Sequence, residues 1–191
     1  MVEEVAHDFL GIVSEGGFKN DFFGLELQFP VDWTVIDDET SKVAVEIGTD
    51  MFKGDDERSN RALEDSTRKE VVLLHLARKP MGSLENCSFM LGVMKQPNPK
   101  VLPAMVAEAT KSLLMKSPNL RVIKETRTGA VGGQRVAMVD YEFTVGDQKI
   151  TILYYVAMVK GYAISFSATY INNEDLKSLE DIISSMRFKT K

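Results

Sequence analysis

The sequence predicts an α+β fold, with a central twisted antiparallel sheet of about six to seven strands and helices on both faces. Three observations predict it. The C-terminal third reads as strands separated by Gly132-Gly133, Gly146-Asp147 and Lys160-Gly161, and two-residue turns of this kind join antiparallel neighbours because the primed hairpin turns need positive φ. The chain then closes on a segment whose apolar residues recur at helical spacing. Between residues 37 and 70 the composition turns polar, with the punctuation of two helices rather than of strands.

Residues 1–17, ending in Ser14-Glu15-Gly16-Gly17, have no clean period and read as a lead-in. From Phe18 to Phe29 two short strand patterns flank a turn, the second alternating Leu25, Leu27 and Phe29. Pro30 lacks the N–H a ladder needs and marks a strand end. A helix is expected over 40–52, with Val43, Ile47 and Met51 at helical spacing, although Val43, Val45 and Ile47 also suit a strand. After the break at Lys53-Gly54-Asp55-Asp56-Glu57 a second helix is expected over 58–69, where Ala62 and Leu63 are the strong apolar positions.

Val71 to Arg78 is apolar at both parities, the pattern of a strand buried on both sides. Cys87 to Met94 forms the next strand, ended by Gln96-Pro97-Asn98-Pro99. Residues 102–116 read as a helix with Pro103 in its first turn, Val106, Ala109 and Leu113 on one face, and Ser117-Pro118 as its stop. The meander follows, with strands over 121–126, 135–145, 149–158 and 162–170. In the last of these, Tyr162, Ile164, Phe166, Ala168 and Tyr170 share one face. Ala163, Ser165, Ser167 and Thr169 share the other, a small-residue face expected to admit a closely packed helix. Asn172 or Asn173 caps the closing helix, Glu174 and Asp175 occupy its first turn, and Leu176, Leu179, Ile183 and Met186 form its stripe, with Arg187 and Lys189 complementing its C-terminal end.

The 191 residues suit one domain, expected at 18–191 with 37–70 as a helical insertion, and a chain of this length buries roughly 70% of its unfolded surface. A formal charge of −5, with no run of Lys and Arg longer than two, excludes a phosphate-backbone partner. The lone Cys87 excludes an internal disulfide and any CxxC metal knuckle. No stretch of 18 apolar residues exists, so no membrane-spanning helix is expected. The start, Met1-Val2-Glu3-Glu4-Val5, lacks the basic and apolar regions of a signal peptide.

No constellation carries chemistry. His75 sits in an apolar strand without a His, Cys or carboxylate at i±2, and reads as a satisfied sheet histidine. His7 falls in the lead-in and takes no role. Cys87 reads as packing rather than as a nucleophile, and the sequon Asn86-Cys87-Ser88 is a three-residue coincidence. Gly54-Asp55-Asp56-Glu57 and Glu64-Asp65 lack the spacing of a calcium loop. Gly129, Gly132 and Gly133 are hairpin glycines, since no Lys-Ser or Lys-Thr follows. Trp33 is expected in the core. Met81, Met90, Met94, Met105, Met115 and Met158 are spread along the chain rather than gathered on one face. An enzyme would need Asp140, Glu142 and the Asp55 loop, or His75 and Cys87, to converge within hydrogen-bond reach. No catalytic, cofactor-binding or metal-binding residue is assigned.

Phe18-Lys19-Asn20-Asp21-Phe22-Phe23-Gly24-Leu25, followed by Phe29-Pro30-Val31-Asp32-Trp33, resembles the opening of PsbP-like and DcrB-like proteins. The stretch from Gly146 to Phe188 is similar to the ending of that family, a hairpin with an aromatic strand leading to a short helix and a final Phe. The resemblance implies an α/β/α sandwich. It also implies binding rather than catalysis, because the family spans an extrinsic photosystem subunit, exported bacterial lipoproteins and a Ran-binding nuclear-import factor. The functional expectation is therefore a non-catalytic binding or assembly protein acting on a protein partner, without a cofactor. The alternative is a small-molecule or lipid-binding protein using a cleft between sheet and helices, motivated by Tyr154, Phe166, Tyr162 and Tyr170. Exported relatives make an extracytoplasmic location the expectation from resemblance.

Overall fold

The computed structural model describes residues 9–80, Ser83 and 87–189; His7, Met81, Gly82 and Asn86 lie outside the described residues. Strands β1 (Ile12–Ser14), β2 (Gly17–Asn20), β3 (Leu25–Gln28) and β11 (Arg187–Phe188) form a four-stranded sheet in the order β1-β2-β3-β11. Strands β4 (Thr34–Val35), β5 (Val71–Ala77), β6 (Ser88–Lys95), β7 (Leu120–Val131), β8 (Gln134–Val145), β9 (Gln148–Val159) and β10 (Tyr162–Tyr170) form a seven-stranded sheet in the order β4-β5-β6-β10-β9-β8-β7. Every pairing is antiparallel. The large sheet is the one expected; the small sheet is an addition. Its strand β1 comes from the stretch read as a lead-in, where three exposed residues are too few to register a period.

The helices are α1 (Asp38–Met51), α2 (Glu57–Lys69), α3 (Pro103–Leu114) and α4 (Asn173–Ser185). Side-chain caps start three of them, each satisfying a backbone donor that a helix cannot satisfy itself: Asp37 accepts from Thr40 N at 2.9 Å, Asp56 from Arg58 N at 3.1 Å and Asn172 from Asp175 N at 2.9 Å. Helix α3 opens on proline, whose missing N–H costs nothing in the first turn.

The meander closes through the expected turns. Gly132 and Gly133 both take positive φ, at 57° and 84°, and bring Val131 opposite Gln134. Strand β7 runs to Val131 rather than ending at Thr126, because register shifts between Val122 and Lys124 and between Lys124 and Arg127 scramble the alternation that would have revealed its second half.

Helices cover both faces of the large sheet. On one side Leu179, Ile182, Ile183 and Met186 of α4 pack with Phe89, Ile164 and Phe166, and the small sheet adds Phe18, Leu25 and Leu27 to the same cluster. Asn20, wholly buried, ties this side together: its Nδ2 donates to Phe9 O at 2.7 Å and its Oδ1 accepts from Phe23 N at 2.9 Å. Phe9, Phe22, Phe23 and Tyr162 pack against one another in tilted and edge-on pairs, with ring centroids 4.8 to 6.0 Å apart. The aromatic-and-Asn pattern of residues 18–25 is thus a packing motif.

On the other side Val106 and Ala107 of α3 pack with Ala137, Val139, Tyr141 and Phe143. The buried face of α3 is rotated from the one expected: Val106 and Ala107 face inward and Ala109 is exposed. Helix α1 shows a larger departure. Its apolar stripe Val43, Ile47 and Met51 faces solvent, at 54%, 56% and 39% exposure. Ser41 and Thr49 lie buried on the opposite face.

Candidate functional site

The small-residue face of β10 does not carry a closely packed helix. It forms the floor of a cavity of about 450 Å3, roofed by α1, α2 and α3. The register explains the hollow. Ser167 lies opposite Met90 on one side and Tyr154 on the other, and Ser165 lies opposite Gly92 and Val156. Side chains as short as serine and glycine leave the centre of the floor low, while Met90 and Tyr154 rise beside it. Val45 of α1, Leu63 of α2 and Val106 of α3 give the cavity an apolar roof.

The roof is pinned at both ends. At its base Ser41 Oγ lies 3.0 Å from His75 Nδ1, and Ile36 N donates to His75 O at 2.8 Å. At its tip Gly54 and Asn60 exchange two hydrogen bonds, Gly54 N to Asn60 Oδ1 at 3.0 Å and Asn60 Nδ2 to Gly54 O at 2.8 Å. Phe52 meets Phe143 edge-on with ring centroids 5.0 Å apart. Thr49 and Thr67 hydroxyls, 3.2 Å apart, hold α1 to α2.

Glu70 is the formal charge among the described lining residues, which include no Lys or Arg. It follows the last residue of α2, but its side chain turns inward over Gly92, where any Cβ would collide with the carboxyl. The Ser165 hydroxyl donates to Glu70 Oε1. Burial raises the Glu70 pKa above its ordinary value, against the opposing pull of that hydrogen bond. Tyr154 also lines the cavity, and its phenol pKa is pushed up, chiefly by burial and further by the nearby Glu70 carboxyl. Both residues lie deep in the protein yet keep intermediate accessible surface, as side chains facing a hollow do. Tyr141, 1% exposed, also lines the cavity, and its hydroxyl has no hydrogen-bond partner among the described residues. Burial lowers the His75 pKa, favouring the neutral ring.

His75 therefore lies in the cavity wall, hydrogen-bonded to Ser41. Cys87 is on the other face of the sheet, fully buried in the α4 cluster, and burial pushes its thiol up to about 12. The sheet separates the two. Asp140 and Glu142 also point away from the cavity, each taken up by cations of neighbouring strands: Asp140 by Arg127 at 2.8 Å and Lys124 at 3.3 Å, Glu142 by Arg121 at 2.9 Å and Lys149 at 3.6 Å. Asp55 is exposed in the turn between α1 and α2. Trp33, 5% exposed, packs into the α4-side core.

The expected aromatic set does not share one face. Tyr154 lines the cavity, whereas Phe166, Tyr162 and Tyr170 pack on the α4 side, with Phe166 stacked on Tyr155 at 4.7 Å. Met90 and Met94 line the cavity, and Met105 and Met115 are exposed. Sequence reasoning missed Glu70, Tyr141 and Ser165. A glutamate at the end of a charged helix reads as solvated, and only the run of small residues in β10 hinted that something had to lie beside them.

No family model matches the chain, and no characterised protein matches it by sequence. Solved structures do. The cyanobacterial PsbP (CyanoP) of Synechocystis sp. PCC 6803 aligns at a TM-score of 0.56 and 15% identity, covering 94% of this chain and 96% of that one. LpqN of Mycobacterium tuberculosis, involved in cell envelope biogenesis, aligns at 0.52 and 11% identity, covering 87% and 83%. The chain has the PsbP-like fold.

Proposed function

We propose that this protein acts by binding rather than by catalysis, and that its ligand is a small, largely apolar molecule held between the large sheet and α1–α3. The cavity carries the reading. Its volume of about 450 Å3 falls within the span of small-molecule pockets, roughly 300–1,000 Å3. Mostly apolar walls with a few placed polar groups are the composition such pockets share. The reaction constellations conceivable from the sequence are divided between opposite faces of the sheet, and the PsbP-like fold is compatible with either kind of binding.

Titration with Nile red, an uncharged apolar dye, tests the reading. One dye is expected to bind per chain, and Ser167→Phe, which fills the floor of the cavity, is expected to abolish binding. Undiminished binding by that variant, or none by the wild type, would overturn it.

A second reading, contact with a protein partner, is favoured by Val43 and Ile47, which lie exposed on the outward face of α1. In that case Ile47→Glu removes a partner recovered by pull-down and leaves dye binding intact; retention of the partner by Ile47→Glu rejects it.

A further inference from the structure

We infer that the cavity selects an apolar molecule carrying one protonated amine, with Glu70 as its counter-ion. The inference rests on the reading of the cavity as a binding site and adds the chemistry of the headgroup.

Glu70 is at the solvent end of α2, next to Arg68 and Lys69, where an extended side chain would be hydrated. Instead it folds over Gly92 into the hollow. Ser165 Oγ donates to Oε1, and no described group donates to Oε2. An ionised carboxylate held among apolar walls is costly unless an opposite charge comes with it. The described lining supplies none: it has no Lys or Arg, and His75 has its Nδ1 engaged by Ser41. Without a cation, burial favours the neutral acid, and a bound ammonium would shift Glu70 to the ionised form, its proton passing to solvent, so that the two groups pair.

An ammonium group supplies that cation. It brings the positive charge and donates to Oε2, for which no described group supplies a hydrogen. The apolar remainder of the molecule lies along Met90, Val45, Leu63 and Val106. A neutral alcohol gains a hydrogen bond there but no charge pairing. A carboxylate of the same length brings no charge to pair with Glu70, loses its own hydration among apolar walls, and meets like charge whenever Glu70 ionises.

Isothermal titration with n-octylamine, 1-octanol and octanoate at neutral pH separates these cases. The wild type is expected to bind the amine about tenfold or more tighter than the alcohol, a difference of about 1.4 kcal/mol, and octanoate more weakly than either. In Glu70→Gln the amine preference disappears, and a cooperative urea transition with wild-type circular dichroism shows that the variant is folded. Equal affinity of the wild type for all three probes, or an amine preference that survives Glu70→Gln, overturns the headgroup inference and leaves the cavity reading standing. Binding of no probe by the wild type, or equal binding of all by Ser167→Phe, overturns both.

Discussion

Residues one position apart in β10 meet opposite surroundings. Ile164, Phe166 and Ala168 are at most 1% exposed, in a cluster built by α4 and reinforced by the small sheet. Ser165, Ser167 and Thr169 look into a cavity whose roof includes a helix, α2, without one buried residue. The same backbone supports both. What differs is side-chain volume and the cover each face receives: a face of large apolar residues recruits an amphipathic helix with a continuous stripe, whereas a face of small residues leaves space that the arch of α1–α3 spans without filling. The packed side supplies stability, and the hollow side has room for a ligand.

The largest expected effect is on the packed side. Phe166→Ala should cost about 3–5 kcal/mol in urea denaturation, the range for emptying a well-packed aromatic site. Leu63→Ala, on a half-buried roof residue above an existing hollow, should cost about 1 kcal/mol or less. Similar losses for the two would break the comparison.

Neighbouring insertions sharpen it. Ala168→Phe forces a ring into the α4 cluster and should cost about 3 kcal/mol, the upper part of the overpacking range. Ser167→Phe enters the cavity and should change stability by no more than about 0.5 kcal/mol.

The smallest effect is a pH dependence confined to the hollow side. Burial raises the folded-state pKa of Glu70 above its ordinary 4.5, so its contribution is fully present below pH 4.5 and is lost as pH rises through the folded value. His75 has the opposite sign: its folded pKa is lowered from 6.5, so its contribution is present above pH 6.5 and is lost as pH falls through the folded value. Denaturation midpoints of Glu70→Gln should therefore lack the decline above pH 4.5, a difference of about 1 kcal/mol at neutral pH, the low end for a buried polar group short of partners. Parallel pH profiles for wild type and variant would show that Glu70 is solvated in the folded protein.

Local signals carried much of the fold. The glycine turns, the Asn172 cap and the Leu179–Met186 stripe each depend on residues close in sequence, and each element they announced is present. Strand β1 and the second half of β7 escaped because one is too short to show alternation and the other has it interrupted by register shifts. In α1 the stripe Val43, Ile47 and Met51 was legible, but its direction was not. Which face of a helix turns inward depends on what it covers, and here Ser41 reaches His75 while Thr49 reaches Thr67.

The sequence by itself determined helices α1 to α4, the succession of strands from β5 to β10, the antiparallel meander and the small-residue face of β10, because each follows from turn chemistry, capping and side-chain alternation within a few residues. Only the tertiary structure decided that this face would stay hollow, that Glu70 would turn into it, and that His75 and Cys87 would be divided by the sheet. Those outcomes depend on contacts between residues far apart in the chain, Glu70 with Ser165 and Gly92, and Ser41 with His75. Periodicity carries no information about which distant side chains will share a space or leave one empty.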